Sequence, residues 1–84
     1  MSYQVVISKK VQKELDCVDK RYRSRIIIVL KSLETNPHLG KKLSGEHEGK
    51  RAYRVWPYRI IYTIRHQELV ILVIAIGHRQ AVYR

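Results

Sequence analysis

Six side chains in the C-terminal half of this sequence could together handle a phosphate group. Arg54 and Arg59 flank Trp56 in one alternating stretch, and His78, Arg79 and Tyr83 follow the last apolar run. A guanidinium binds phosphate through two parallel N–H donors, and an indole offers a stacking face to a base. Histidine is the side chain whose ordinary pKa lies near neutrality, so His78 could exchange a proton at working pH. A tyrosine could do so only where neighbouring cations lower its pKa, and Arg54, Arg59 and Arg79 would be such neighbours of Tyr83. A plainer reading fits the same residues. Arginines are common on an exposed strand face, Trp56 could cover its neighbours, and Tyr83 could pack back on the core.

Other chemistries are harder to build from these residues. Glu46, Glu48 and Glu68 all fall in expected loops, so a paired-carboxylate site is not expected. His38, His47, His66 and His78 lack zinc-ligand spacing, and the one cysteine, Cys17, can form neither a Cys-rich site nor an internal disulfide. Cys17 is expected as a small packing residue of a helix. No glycine-rich phosphate loop is present. The expectation is a site without metal or cofactor, working by cations and proton transfer.

The elements that would position these residues can be read from periodicity. Tyr3–Ile7 alternates as a strand, and Ser8 is placed to cap a helix over residues 9–18 with Val11, Leu15 and Val18 on one face. Asp19 would cap a second helix, with Tyr22, Ile26, Leu30 and Leu33 as its stripe and Ile27 and Val29 widening it. That helix should stop near Asn36-Pro37. Residues 36–49 form one long loop carrying Lys41 and Lys42. Three strands follow, at 52–56, 58–64 and 69–76, with Pro57 and Arg65–Glu68 in the turns. The fold class is therefore α+β, in the order β-α-α-β-β-β. We expect an antiparallel sheet with an N-terminal αα-hairpin packed on one face, over a single domain spanning residues 1–84.

Alternation within the strands assigns faces. Tyr58, Ile60, Tyr62 and Ile64 should face the helices, which puts Arg59, Arg54 and Trp56 on the open face. The last strand, nearly all apolar, should be an interior one buried on both faces. Gly77 ends it, and His78, Arg79 and Tyr83 then lie near the end of the sheet, where they could converge on the open face.

With 17 Lys+Arg against 7 Asp+Glu, the net charge is +10, which favours a polyanionic partner such as RNA, DNA, a ribosome or an acidic protein. A membrane partner is not expected. No apolar run reaches spanning length, Met1–Gln4 leads straight into a strand rather than a signal segment, and no single helix pairs a basic face with a wide apolar one.

The chain resembles the RelE/ParE superfamily of toxins from toxin–antitoxin systems, on its RelE-like side. The resemblance rests on the element order, on Lys42-Leu43-Ser44-Gly45 before the sheet, on the run Tyr53-Arg54-Val55-Trp56-Pro57-Tyr58-Arg59-Ile60-Ile61-Tyr62, and on Ile76-Gly77-His78-Arg79 through Val82-Tyr83. It implies a type II toxin that cuts messenger RNA on the ribosome. The ribose 2′-OH would attack the adjacent phosphate without a metal. Arg59 and Arg79 would bind the scissile phosphate, Arg54 would supply a further cation, Tyr83 would stack or assist proton transfer, and His78 would serve as acid or base. Trp56 stands where many relatives carry a second basic residue, and no helix is expected after Tyr83. Lys20, Arg21, Arg23 and Arg25 on the second helix, with Lys41 and Lys42, would dock the protein on ribosomal RNA. The implied partners are the ribosome, messenger RNA and a cognate antitoxin in a hetero-oligomer, in the cytoplasm. ParE-like members share the fold but inhibit DNA gyrase by binding, and a non-catalytic RNA-binding domain is a third possibility.

Overall fold

The computed structural model of the chain describes residues 2–78. Strand β1 (Gln4–Ile7) leads into helices α1 (Lys9–Asp16) and α2 (Lys20–Leu33). A short 3-10 turn at Pro37–Leu39, a two-residue strand β2 (Lys41–Lys42) and a second 3-10 turn at Gly45–His47 occupy the long loop. Strands β3 (Arg51–Val55), β4 (Tyr58–Arg65) and β5 (Val70–His78) complete one sheet in the order β1-β5-β4-β3-β2. The α+β order and the helical hairpin over one face are as the sequence predicts.

Two features refine that expectation. β2 is an edge strand inside what reads as loop. β1 pairs with β5 in parallel, whereas every other pairing is antiparallel. The β3-β4-β5 meander closes by tight turns and so alternates direction. β1 lies on the other edge of β5, and the two helices carry the chain from it to β2 at the opposite edge of the sheet.

The helix ends follow side-chain chemistry. Ser8 Oγ accepts from Val11 N at 3.2 Å, and the Asp19 carboxylate accepts from Arg21 N at 2.9 Å, each supplying an acceptor to an otherwise unpaired N–H of a first turn. Val11, Leu15 and Val18 with Ile26, Leu30 and Leu33 then bury against Val55, Ile60, Tyr62, Ile71, Val73 and Ile76 of the sheet. Val29 joins this core at its edge, but Ile27 does not and is exposed on α2. Cys17 is exposed too, not a packing residue.

β5 is an interior strand, as expected, but it is fully buried on one face only. Leu72, Ile74 and Ala75 keep partial exposure. Its register also shifts. Tyr62 lies opposite Val73 while Ile61 lies opposite Ala75, so Ile74 is an extra residue in the ladder. A one-residue bulge reverses the facing of everything after it. Ile71 and Val73 enter the core two residues apart, and the next core residue is Ile76, three further on.

Candidate functional site

The open face carries a pair of guanidiniums. Arg54 of β3 and Arg59 of β4 lie directly opposite each other in the ladder, on the side away from the helices. The neighbouring cross-strand pair on that face is Ala52 and Ile61, continued by Ala75 on β5. Ala52 and Ala75, on either side of Ile61, are small and leave room beside the arginines. Lys41 of β2 pairs with Ala52, so an ammonium approaches the same area from the edge. A hollow of about 320 Å³ is lined by Lys41, Leu43, Ala52, Arg54 and Arg59, among others. Three cations around one hollow suit an anionic ligand.

The edge that brings Lys41 there is fixed from below by Tyr62. This fully buried side chain donates its hydroxyl to Pro37 O at 2.7 Å and accepts from Gly40 N at 2.8 Å. Arg51 Nη1 donates to Gly40 O at 2.7 Å. Gly40 is needed because a Cβ there would lie 2.7 Å from the Tyr62 hydroxyl oxygen and 3.0 Å from Ala52 O. Burial pushes the Tyr62 phenol above its ordinary pKa. Sequence reasoning placed Tyr62 on the core face without seeing this role. The available signal was composition: six tyrosines and no phenylalanine mean that buried aromatics carry hydroxyls that need partners.

His78 is still part of β5 and does not reach the open face on which it was expected to converge. The bulge at Ile74 turns it to the helix side, opposite Tyr58, with ring centroids 6.3 Å apart at 77°. There it borders a hollow of about 460 Å³ against α1, shared with Lys10, Lys13, Glu14, Cys17 and Tyr58. Glu14 of α1 holds this strand end, accepting from Ile76 N at 3.0 Å. His78 and the Arg54–Arg59 pair therefore occupy opposite faces.

Trp56 also departs from expectation. It sits in the turn after β3, 53% exposed, bordering a hollow shared with Arg25, Ile28, Val29 and Arg54. It flanks the arginine pair on the α2 side rather than lying beside Arg59 on the open face. Arg54 lines both hollows and joins the two regions.

The helix cations divide. Arg25 lines the Trp56 hollow and Lys20 is exposed. Arg21 forms an ion pair with Asp19 at 3.1 Å and lies over the Tyr22 ring, and this partner holds the Asp19 carboxyl below its usual range. Arg23 donates to Asp16 O at 2.8 Å and Val18 O at 3.1 Å, closing the end of α1. It braces the helical hairpin. Lys42, one residue from Lys41, pairs with Arg51 and so faces the other way. Arg79 and Tyr83 lie outside the described residues. Among the described residues no three His, Cys, Asp or Glu side chains gather as a metal-binding group, and no helix is long and apolar enough to cross a membrane.

The fold has known counterparts. Residues 5–83 match the family model described as the ParE toxin of type II toxin–antitoxin systems. A RelE-like toxin protein of Escherichia coli is 32% identical over 82 residues, covering 95% of this chain and 86% of that protein. The toxin–antitoxin complex RelBE2 of Mycobacterium tuberculosis superposes with a TM-score of 0.85 at 22% identity, over 94% of this chain and all of the matched one. The archaeal RelE–RelB complex of Pyrococcus horikoshii gives a TM-score of 0.76 at 28% identity, over 98% of this chain and 100% of that one. The isolated RelE toxin of Escherichia coli gives 0.81 at 22%, over 98% and 92%.

Proposed function

This chain belongs to the RelE/ParE family of toxins of type II toxin–antitoxin systems, and on that premise we propose that it cuts messenger RNA on the ribosome. The observation that carries the proposal is the directly opposed Arg54–Arg59 pair on the open face, with Lys41 beside it. In this reading the ribose 2′-oxygen attacks the adjacent phosphorus while its proton leaves to a base. The bond from phosphorus to the 5′-oxygen breaks, and that oxygen takes up a proton. The products are a 2′,3′-cyclic phosphate and a 5′-hydroxyl. Negative charge grows on the non-bridging oxygens, where preorganised guanidiniums stabilise the transition state more than the ground state.

Arg54 and Arg59 hold those oxygens with Lys41 beside them, and Arg79 adds a further cation. His78 faces α1, so proton transfer falls to Tyr83, whose phenol the three arginines would acidify. Lys20 and Arg25 serve ribosomal docking, and the Trp56–Arg25 hollow takes a flanking base. A cognate antitoxin is the natural partner, since the RelBE2 and RelE–RelB structures are of toxin–antitoxin complexes. The reading places the toxin with the ribosome in the cytoplasm.

The test is expression without antitoxin, with mapping of RNA 5′ ends. We expect growth arrest and new ends within translated regions. The match to the ParE family model favours a second reading, inhibition of a DNA topoisomerase by binding. Growth arrest with intact messages and DNA damage would establish that one instead.

A further inference from the structure

A second cationic hollow lies at the other end of the sheet, on the helix side, and the ribonuclease reading does not use it. It holds about 610 Å³. Lys42, Lys50 and Arg51 line it with His38 and His66, against one carboxylate, Glu48. The two imidazoles stack with centroids 5.9 Å apart at 25°. They come from distant elements, His38 from the 3-10 turn after α2 and His66 from the β4–β5 turn.

This hollow is held in shape by several contacts. Arg51 donates from Nη1 to Gly40 O at 2.7 Å and His38 O at 3.5 Å, which fixes the plane of a group with five N–H donors. Thr63 Oγ1 donates to Gly49 O at 2.8 Å, and Leu43 N to Lys50 O at 3.0 Å, tying the glycine loop that carries Lys50 onto the sheet. His66 Nδ1 lies 3.3 Å from the Tyr3 hydroxyl. When that hydroxyl donates, the proton of neutral His66 sits on Nε2 and is a further donor for an anion.

We propose that this hollow is a binding site for a phosphate ester, separate from the open-face arginines. Three permanent cations against one carboxylate call for a ligand with more than one negative charge, which a phosphate monoester or pyrophosphate carries and a lone carboxylate does not. The site also has imidazole donors and a fixed guanidinium, which suit several oxygens around one phosphorus. The inference stands on this hollow alone, so the ribonuclease reading can fail without affecting it.

The test follows the ring signals of His38 and His66 by NMR in the full chain, with inorganic pyrophosphate as the probe. Both signals should move and saturate at low-millimolar probe or below. Lys42→Ala with Lys50→Ala, both outside the core, should weaken binding by roughly 10-fold or more, the scale of losing a charge-assisted hydrogen bond. Arg59→Ala should leave it unchanged. A 5′-mononucleotide and an oligodeoxynucleotide without terminal phosphate then identify the source. Competition by the first alone gives a terminal phosphate ester, and competition by both gives a nucleic-acid backbone as well. Shifts that do not saturate, that survive the double lysine substitution in a folded protein, or that vanish with Arg59→Ala would overturn the proposal.

Discussion

At the scale of single residues, the proposed chemistry turns on Arg59 and its partner across the ladder. Arg59→Ala should lower the single-turnover cleavage rate on a programmed ribosome by about 100-fold or more, the usual cost of removing one donor from a developing oxyanion. Arg54→Ala should act likewise, with the double variant less than additive if both grip one phosphate. Arg59→Lys should recover part of the loss, because a point charge replaces a bidentate fork. His78→Gln tests whether His78 takes part in the chemistry from the face it occupies. With His78 turned to Tyr58, the rate should stay within a few-fold and keep its pH profile. A loss as large as that of Arg59→Ala would return His78 to the chemistry.

Tyr62 makes a prediction about stability. Tyr62→Phe would strand Pro37 O and Gly40 N in the interior, at a cost of about 1–3 kcal/mol, measurable by urea unfolding. Burial raises the Tyr62 pKa in the folded state, so folding favours the neutral phenol. Its contribution is therefore complete below the unfolded tyrosine pKa and lost as pH rises through the folded value. Stability of the parent should fall on the alkaline side, and Tyr62→Phe should remove part of that slope.

At the scale of elements, the bulge in β5 is the decisive device. It lets Ile71, Val73 and Ile76 all reach the helices, and Glu14 supplies an acceptor to Ile76 N just beyond it. Glu14→Ala should leave that N–H without its acceptor and cost about 1–3 kcal/mol. Glu14→Gln, which keeps an oxygen at the same reach, should recover most of it. Amide hydrogen exchange at Ile76 reads this directly: fast in the alanine variant, slow in the glutamine one. The helical hairpin has a comparable brace. Arg23 closes the α1 carbonyls, so Arg23→Ala should lower the unfolding midpoint, whereas Lys20→Ala should not.

At the scale of the whole molecule, a net charge of +10 sets how the protein meets its partner. Long-range attraction to a polyanion speeds encounter and is screened by salt. Lys20→Ala should slow association with ribosomes and flatten its dependence on ionic strength. The cleavage rate of the pre-bound complex should not change. Stopped-flow binding at several salt concentrations, paired with single-turnover cleavage, separates the two effects. Loss of both in parallel would place Lys20 in the site instead.

The β-α-α-β-β-β order, the two helix caps and the shared face of Arg54 and Arg59 were legible in the sequence, whereas the edge strand β2 and the register that sets the two arginines opposite each other were not. The legible features follow from local rules, since alternation and capping are written over a few adjacent residues. The sequence also carried the family, through Tyr53–Tyr62 and the segment from Ile76 onward. The rest depends on contacts between residues far apart in the chain. The side taken by His78 depends on whether β5 keeps strict alternation, and that is settled by how Ile71, Val73 and Ile76 fit beneath α1 and α2. The hold of Tyr62 on Pro37 and Gly40 joins positions more than twenty residues apart, and the His38–His66 stack joins two turns from different ends of the fold. Such pairings come from three-dimensional packing, which no local period records.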